Sequence, residues 1–145
     1  MKPAEVRTRR RARASALQVL YQWEVGQGQL DRAVETFFTE QWPDAEAPSA
    51  DLRQFANDLA QDTVRRLPEI DALIAETAER WRPERMAILD RLIMRMAVCE
   101  MLRDASTPPA VVINEALELG RTFSTEDSVR FINGMLDAIR KKIEQ

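Results

Sequence analysis

The chain has 145 residues, 45% of them hydrophobic, and a formal net charge of −3 at pH 7. This length suits one domain or two small helical halves, and the apolar share is too high for a disordered chain. No stretch approaches about 18 uncharged apolar residues, and no apolar segment with a cleavage site follows the basic N-terminus, so we expect neither a transmembrane helix nor a secretory signal.

Composition also excludes several kinds of chemistry. The sequence has no histidine and a single cysteine, Cys99, which excludes histidine-dependent nucleophiles, an internal disulfide and a structural zinc site. None of the glycines belongs to a phosphate-binding G-x-G-x-x-G or G-x-x-x-x-G-K loop. Carboxylates are plentiful, but no pair stands out from the solvated ones. We therefore expect a non-enzymatic protein of the cytoplasm, with no catalytic residue, metal or cofactor.

Apolar residues recur at helical spacing along the first half of the chain. They predict helices at about residues 6–25, 30–41, 50–67 and 68–81, the first with Ala16, Leu17, Leu20 and Trp23 on its apolar face. Segment 43–50, PDAEAPSA, is the clearest linker, because two prolines and small residues cannot continue a helix. Ser49 is the expected N-cap of the third helix. Pro68 ends that helix and occupies the first turn of the fourth.

The second half is predicted to be helical as well. Pro83 opens a long helix over about 84–103, residues 106–109 break the chain, and two further helices cover 110–120 and about 125–142. Ser124 or Thr125 is the expected cap of the last helix. The pair Asn133-Gly134 often forms a hairpin turn, but helical spacing continues across it, so Gly134 is interpreted as a close-packing point. The fold class is therefore all-α, with six or seven helices and a boundary between halves near 78–83.

Charge is distributed unevenly along the chain. Residues 1–13 carry a net charge of +5 and the remainder carries −8, an asymmetry that points to nucleic acid or an anionic membrane. On a helical wheel, Arg9 and Arg13 lie over the apolar face of the first helix, whereas Arg7 and Arg10 share an adjacent stripe with Tyr21. A membrane-surface helix would need the apolar face that the core uses.

Two interpretations of this basic block remain open: a solvated tail, or a surface that binds RNA. The block has five arginines and one lysine, and rigid guanidinium groups suit phosphates and bases. Tyr21 either stacks on a base or lies at the edge of the core with its hydroxyl group in water. Spacing alone places five further aromatic residues in or near the core: Trp23, Trp42, Trp81, Phe123 and Phe131.

Three stretches carry a resemblance to a known family. These are MKP…RRRARASALQVLYQWE at the N-terminus, LIMRMAVCEML at 92–102 and VVINEALELGRTFSTEDSVRFINGMLD at 111–137. They resemble the bacterial transcription antitermination factors of the NusB family, over nearly the full length and least over 26–80. The resemblance implies a single RNA-binding domain of two three-helix bundles around a shared core, with halves at 1–80 and 81–145.

The resemblance also implies a function. Such a protein binds the boxA element of nascent ribosomal RNA as a single strand, together with the ribosomal protein NusE. It then joins the RNA polymerase elongation complex with other Nus factors and opposes premature termination. Two alternatives are an RNA-binding piece of a ribosomal RNA methyltransferase system and a helical protein-interaction adaptor whose basic end is incidental. Family members occur as monomers and as homodimers, and the sequence leaves both open.

Site residues follow from the same resemblance. The implied RNA surface comprises Lys2, Arg9, Arg10, Arg11, Arg13, Tyr21, Arg95, Phe123, Asp127, Ser128 and Phe131. Arg7 joins this set through EVRT at 5–8, which lengthens the basic end beyond the family's run. Phe123 and Phe131 thus have both a core and a stacking interpretation. The NusE-binding surface is expected on the fifth helix at Asp90 and Arg91.

Overall fold

The computed structural model describes residues 2–78, 82–103 and 106–145. Within these ranges it contains one short 3₁₀ turn, Pro83–Arg85, seven α-helices and no strand. The helices are α1 (Pro3–Gly26), α2 (Leu30–Glu40), α3 (Ala50–Arg65), α4 (Leu67–Thr77), α5 (Ile88–Arg103), α6 (Pro109–Phe123) and α7 (Glu126–Ile143). The all-α prediction is confirmed. In the described ranges, no helix has the length and apolar character needed to cross a membrane.

The helices group into two compact units, Met1–Asp62 and Thr63–Gln145. In the first unit, α1 packs against α2. In the second, α5, α6 and α7 pack on one another, and α4 packs on α5 and α7. The sequence places the division near 78–83, whereas this grouping divides the chain within α3, because the contacts of α4 join it to the later helices.

The core of the first unit is built on the apolar face predicted for α1. Ala16, Leu17 and Leu20 are fully buried, while Trp23 is half-buried. Further core side chains come from α2 and α3: Val34, Phe37, Phe38, Leu52, Ala56, Leu59 and Ala60. The helical period thus identifies the buried face of α1.

In the second unit, α5 is buried on all sides over much of its length. Every residue from Leu92 to Glu100 is buried, because α4, α6 and α7 all pack against this helix. A stripe on one face, as the spacing predicts, therefore understates its burial. Cys99 lies in this segment with its thiol fully buried.

Side-chain caps and prolines define several helix ends. The Leu52 N–H donates to Ser49 Oγ over 3.1 Å, and the Ser128 N–H donates to Thr125 Oγ1 over 3.1 Å. Ser49 is thus confirmed as a cap, and Thr125 rather than Ser124 caps α7. Pro68 lies in the first turn of α4, as predicted.

Several helix boundaries differ from the sequence prediction. Helix α1 begins at Pro3 rather than near residue 6, and α4 ends at Thr77 rather than near residue 81. Pro83 opens a 3₁₀ turn and Met86 is extended, so α5 begins at Ile88 rather than near 84. Helix α6 continues past Gly120 to Phe123, since a glycine inside a helix weakens it without ending it. Trp81, which the spacing assigns to the fourth helix, lies outside the described residues.

Close packing occurs at a different glycine from the one predicted. Gly134 is helical as expected, but a Cβ added there would meet nothing within 4 Å in the described structure. A Cβ added at Gly120 would lie 3.0 Å from Val129 Cγ2. Gly120 is therefore where α6 and α7 approach closely, and the prediction for Gly134 is wrong.

Candidate nucleic-acid interface

Helix α1 carries all five arginines of the basic block. The helix begins at Pro3, with Lys2 exposed at its N-cap position, and proline suits the first turn because its missing N–H is not needed there. The arginines therefore stand on an ordered helix that continues into the core rather than on an irregular tail. Their environments nevertheless differ.

Arg7 and Arg10 are exposed on one stripe of α1. Tyr21 lies farther along the same stripe and is also exposed. This stripe places two guanidinium groups and one aromatic ring on solvent-facing positions of a single helix. Phosphates and an unstacked base are the ligands that such an arrangement suits.

Arg9 and Arg11 are each held by a carboxylate and an aromatic ring of their own unit. Arg9 Nη1 lies 3.5 Å from Asp51 Oδ1, and its guanidinium lies 4.4 Å from the centre of the Phe55 ring. Arg11 Nη2 donates to Asp44 Oδ2 over 2.5 Å, and its guanidinium lies 4.5 Å from the centre of the Trp42 ring. The two arginines are thus oriented and locally neutralised.

Arg13 is buried, with only 5% of its surface exposed, and its guanidinium lies 5.3 Å from the centre of the Phe55 ring. Its wheel position over the apolar face explains the burial, because Phe55 of α3 approaches that face. The structure therefore gives Arg13 a packing role and separates it from the exposed arginines.

The linker at 43–50, which carries Asp44 and Glu46, is part of this surface, which the sequence did not indicate. Trp42 packs against Phe37 and Phe38 with ring centres 6.2 and 5.8 Å away, and its Nε1–H donates to the Glu46 carbonyl over 2.9 Å. The segment 42–49 therefore starts from an aromatic anchor. A signal for this was the tryptophan directly before Pro43 in an otherwise polar stretch.

A surface cleft of about 500 Å³ lies between α1 and this segment. The cleft is lined by Arg7, Arg11 and Trp42 together with Ala4, Thr8, Asp44, Glu46, Ala47, Pro48, Ser49 and Leu52. Both basic and acidic side chains face it. The cleft therefore presents charges of both signs beside the exposed stripe of Arg7, Arg10 and Tyr21.

In the second unit, the start of α7 presents several of the predicted RNA residues. Phe131 is 46% exposed, so the core interpretation of this residue is wrong and its ring faces solvent. Phe123 is half-buried at the end of α6. Asp127 is exposed and accepts a hydrogen bond from Arg130, one turn along α7. Asp127 and Phe131 share a face of α7, since they are four residues apart.

Asp90 lies beneath this surface rather than on it. Only 8% of Asp90 is exposed, and its two carboxylate oxygens accept hydrogen bonds from Ser124 Oγ over 2.5 Å and from Ser128 Oγ over 2.6 Å. It therefore joins the first turn of α5 to the turn between α6 and α7. The neighbouring Arg91 is half-buried, and its Nη1 donates to the Pro83 carbonyl over 2.8 Å.

Arg95 forms a paired hydrogen bond inside the second unit. Its Nε and Nη2 donate to the two carboxylate oxygens of Asp71, each over 2.9 Å. The residue is buried, so this pair joins α5 to α4. Such a bidentate ion pair is a structural connection, and it leaves Arg95 less accessible than the resemblance implied.

The predicted residues thus fall into two groups. One is on α1, and the other is on α5 and around the α6–α7 turn. Across the described part of the chain, no group of three or more cysteine, aspartate or glutamate side chains is arranged to hold a metal ion. The predicted residues that are exposed include basic and aromatic side chains, which suit an anionic polymer, together with the carboxylate of Asp127.

Comparisons with known proteins agree with this chemistry. The transcription antitermination protein NusB of Solibacter usitatus is 45% identical over 138 residues, which cover 95% of this chain and 92% of that protein. The structure of T. maritima NusB has a TM-score of 0.82 at 30% identity, covering 92% and 91% of the two chains. A crystal structure of antitermination factors NusB and NusE in complex with double-stranded RNA has a TM-score of 0.81 at 26% identity, covering 94% of this chain and 98% of that one.

The family model described as the NusB family matches residues 10–141. That range includes Arg10, Arg11 and Arg13 of the basic block and ends close to the end of α7. With nearly the whole sequence matched and the fold shared with solved members, the chain belongs to the NusB family.

Proposed function

We propose that this protein is a transcription antitermination factor that binds RNA through α1 and acts together with a NusE-type ribosomal protein. Its family membership and the antitermination role named for its relatives support this proposal. The observation that carries it is the exposed stripe of Arg7, Arg10 and Tyr21 on an ordered helix. The similar structure that contains NusB, NusE and RNA supports the same pair of partners.

The RNA target we propose is the boxA element of ribosomal RNA transcripts, bound as a single strand. Exposed aromatic rings favour single strands, because unstacked bases can stack on them. The protein with NusE would then associate with the elongating RNA polymerase and other Nus factors in the cytoplasm. All of these steps are binding events, so the proposal includes no reaction and no cofactor.

The surface proposed for NusE surrounds the first turn of α5. Arg91 is half-buried there, while Asp90 fixes Ser124 and Ser128 from below. Asp90 would act on this surface through the two serine residues that it positions. A partner contacting the α6–α7 turn would therefore meet a preorganised backbone.

The experiment is a titration of a boxA-containing RNA oligonucleotide and a scrambled one of equal length, each with and without NusE. We expect tighter binding of the boxA sequence and a further gain when NusE is present. A helical adaptor with an incidental basic end would show equal affinity for both oligonucleotides and no gain from NusE. That outcome would replace the proposed function.

A further inference from the structure

Two acidic residues approach the basic block from opposite flanks. Asp44 pairs with Arg11 and Asp51 pairs with Arg9. Arg9 and Arg11 are two positions apart and therefore about 200° apart around α1. The exposed stripe of Arg7 and Arg10 lies between them on the wheel. The chain's own carboxylates thus border the surface on which RNA phosphates would lie.

The Arg11–Asp44 pair has the properties of an exchangeable contact. Its side chains are 46% and 47% exposed, so an incoming anion can reach both. Exposed ion pairs of this kind are weak, whereas phosphate oxygens accept the same guanidinium hydrogen bonds that a carboxylate does. The ring of Trp42 would keep Arg11 oriented after Asp44 leaves.

We propose that segment 42–49 is a built-in competitor of RNA. In the free protein, Asp44 occupies the anion position of Arg11, and an RNA phosphate replaces it on binding. The cleft between α1 and this segment gives the incoming backbone room beside Arg7 and Arg11. This inference rests on the proposed function and adds a regulatory contact to the same surface.

Competition of this kind would discriminate among anions. A single phosphate would gain little by displacing Asp44, because it exchanges one contact for another. A polynucleotide that also reaches further positions of α1, such as Arg7, would make contacts in addition to this exchange. Displacing Asp44 costs either ligand the same free energy, so an isolated anion is left with little net binding, whereas the additional contacts of an extended RNA still give net binding.

The test is RNA titration at low salt with Asp44→Asn and with Glu46→Gln as its matched control. Both changes remove one negative charge from the same segment, but no ion pair of Glu46 is seen in the described part of the chain. We expect Asp44→Asn to bind the boxA oligonucleotide about two- to fivefold more tightly, the range of an exposed ion pair. We expect Glu46→Gln to change affinity by clearly less.

A double-mutant cycle tests whether Asp44 acts through Arg11. In an Arg11→Ala background, Asp44→Asn should give no gain, whereas a long-range charge effect would persist. Asp44→Ser provides a second variant and should reproduce the gain, with thermal unfolding confirming that each protein is folded. Equal gains in RNA affinity from the changes at residues 44 and 46, or a gain that survives Arg11→Ala, would overturn the proposal that segment 42–49 competes with RNA.

Failure of the proposed function would look different. If the unmodified protein shows no preference for boxA and no effect of NusE, RNA recognition itself is absent. If the unmodified protein recognises boxA but Asp44→Asn behaves like Glu46→Gln, only the proposed competition by segment 42–49 is wrong. The two inferences are thus separated within one set of titrations.

Discussion

At the residue scale, one short run of arginines divides into three environments. Arg7 and Arg10 are exposed, Arg9 and Arg11 are paired with carboxylates, and Arg13 is buried. Helical geometry explains the division, because each step of about 100° turns the next side chain toward a different neighbour. Residues of identical chemistry are therefore expected to contribute to different properties.

Arg10→Ala and Arg13→Ala should separate RNA affinity from stability. Arg10→Ala should weaken RNA binding for all sequences and leave the free energy of unfolding within about 0.5 kcal/mol, as is usual for an exposed position. Arg13→Ala should cost about 1–3 kcal/mol of stability, because it removes a buried side chain that packs on Phe55. Chemical unfolding and RNA titration measure the two effects.

The control for Arg10 is Arg32→Ala, which removes an exposed arginine from α2 of the same unit. It should leave RNA affinity nearly unchanged. If Arg10→Ala and Arg32→Ala weaken binding equally, the effect comes from net charge and the exposed stripe has no special role.

Phe131→Ala should affect RNA binding more than folding. Because the ring is nearly half exposed, its removal should cost much less than the ~3–5 kcal/mol typical of a buried phenylalanine. If a base stacks on it, the loss of RNA affinity should be about 1–3 kcal/mol. Thermal unfolding and boxA titration of the same sample check both. Near-native RNA affinity would remove Phe131 from the interface.

At the element scale, the helix ends show where sequence signals suffice. Ser49 and Pro68 were correctly placed because capping and proline effects are local. The start of α5 was misplaced because a proline permits a helical first turn and a 3₁₀ turn alike. The contact between Asp90 and Ser124 links residues 34 positions apart, so no local pattern could reveal it. Phe131 shows the same limit. Periodicity assigned it to the core face of the last helix, but in the structure its side chain is exposed.

Asp90→Ala should destabilise the second unit by about 1–3 kcal/mol. The substitution removes a buried carboxylate that accepts hydrogen bonds from two serine hydroxyl groups. Leaving buried donors without their acceptor costs this amount of free energy. Denaturant unfolding measures the change. Asp127→Ala is the matched control, since it removes an exposed carboxylate near the same helix start and should cost less than about 1 kcal/mol. Equal losses would mean that Asp90 acts only through its charge.

At the scale of the whole molecule, the charge asymmetry was evident in the sequence, but its arrangement was not. The sequence shows a basic end on an acidic body, and the structure shows that Asp44 and Asp51 bring part of the acidic surplus onto the arginines. Periodicity cannot predict the position of Asp44, because a proline-containing linker has no period from which to infer its path. The Arg9–Asp51 pair depends on a contact between α1 and α3, which no local pattern shows. Periodicity was enough to predict the all-α class, whereas the arrangement of the site depends on tertiary contacts.

RNA binding should depend strongly on salt. Lys2, Arg7 and Arg10 are exposed, and Arg9 and Arg11 can exchange their carboxylates, which gives about five phosphate contacts without Arg13. For single-stranded RNA this implies a log–log slope near −3.5, so a fourfold rise in salt should weaken binding roughly a hundredfold. Fluorescence anisotropy over a salt series measures the slope. Arg10→Ala should reduce its magnitude by about 0.7, and Arg32→Ala should not change it.

The close approach of Gly120 and Val129 makes these two positions dependent on each other. Gly120→Ala adds a methyl group that meets the branched Val129 side chain, whose rotamer a helix restricts. The gain of up to about 1 kcal/mol from alanine's helix propensity should therefore be lost or reversed. In a Val129→Ala background the same change should stabilise the protein, as a double-mutant cycle of unfolding free energies would show. Identical effects in both backgrounds would contradict the coupling. The feature thus predicts sign epistasis, in which an evolutionary path to alanine at position 120 opens only after position 129 has become smaller.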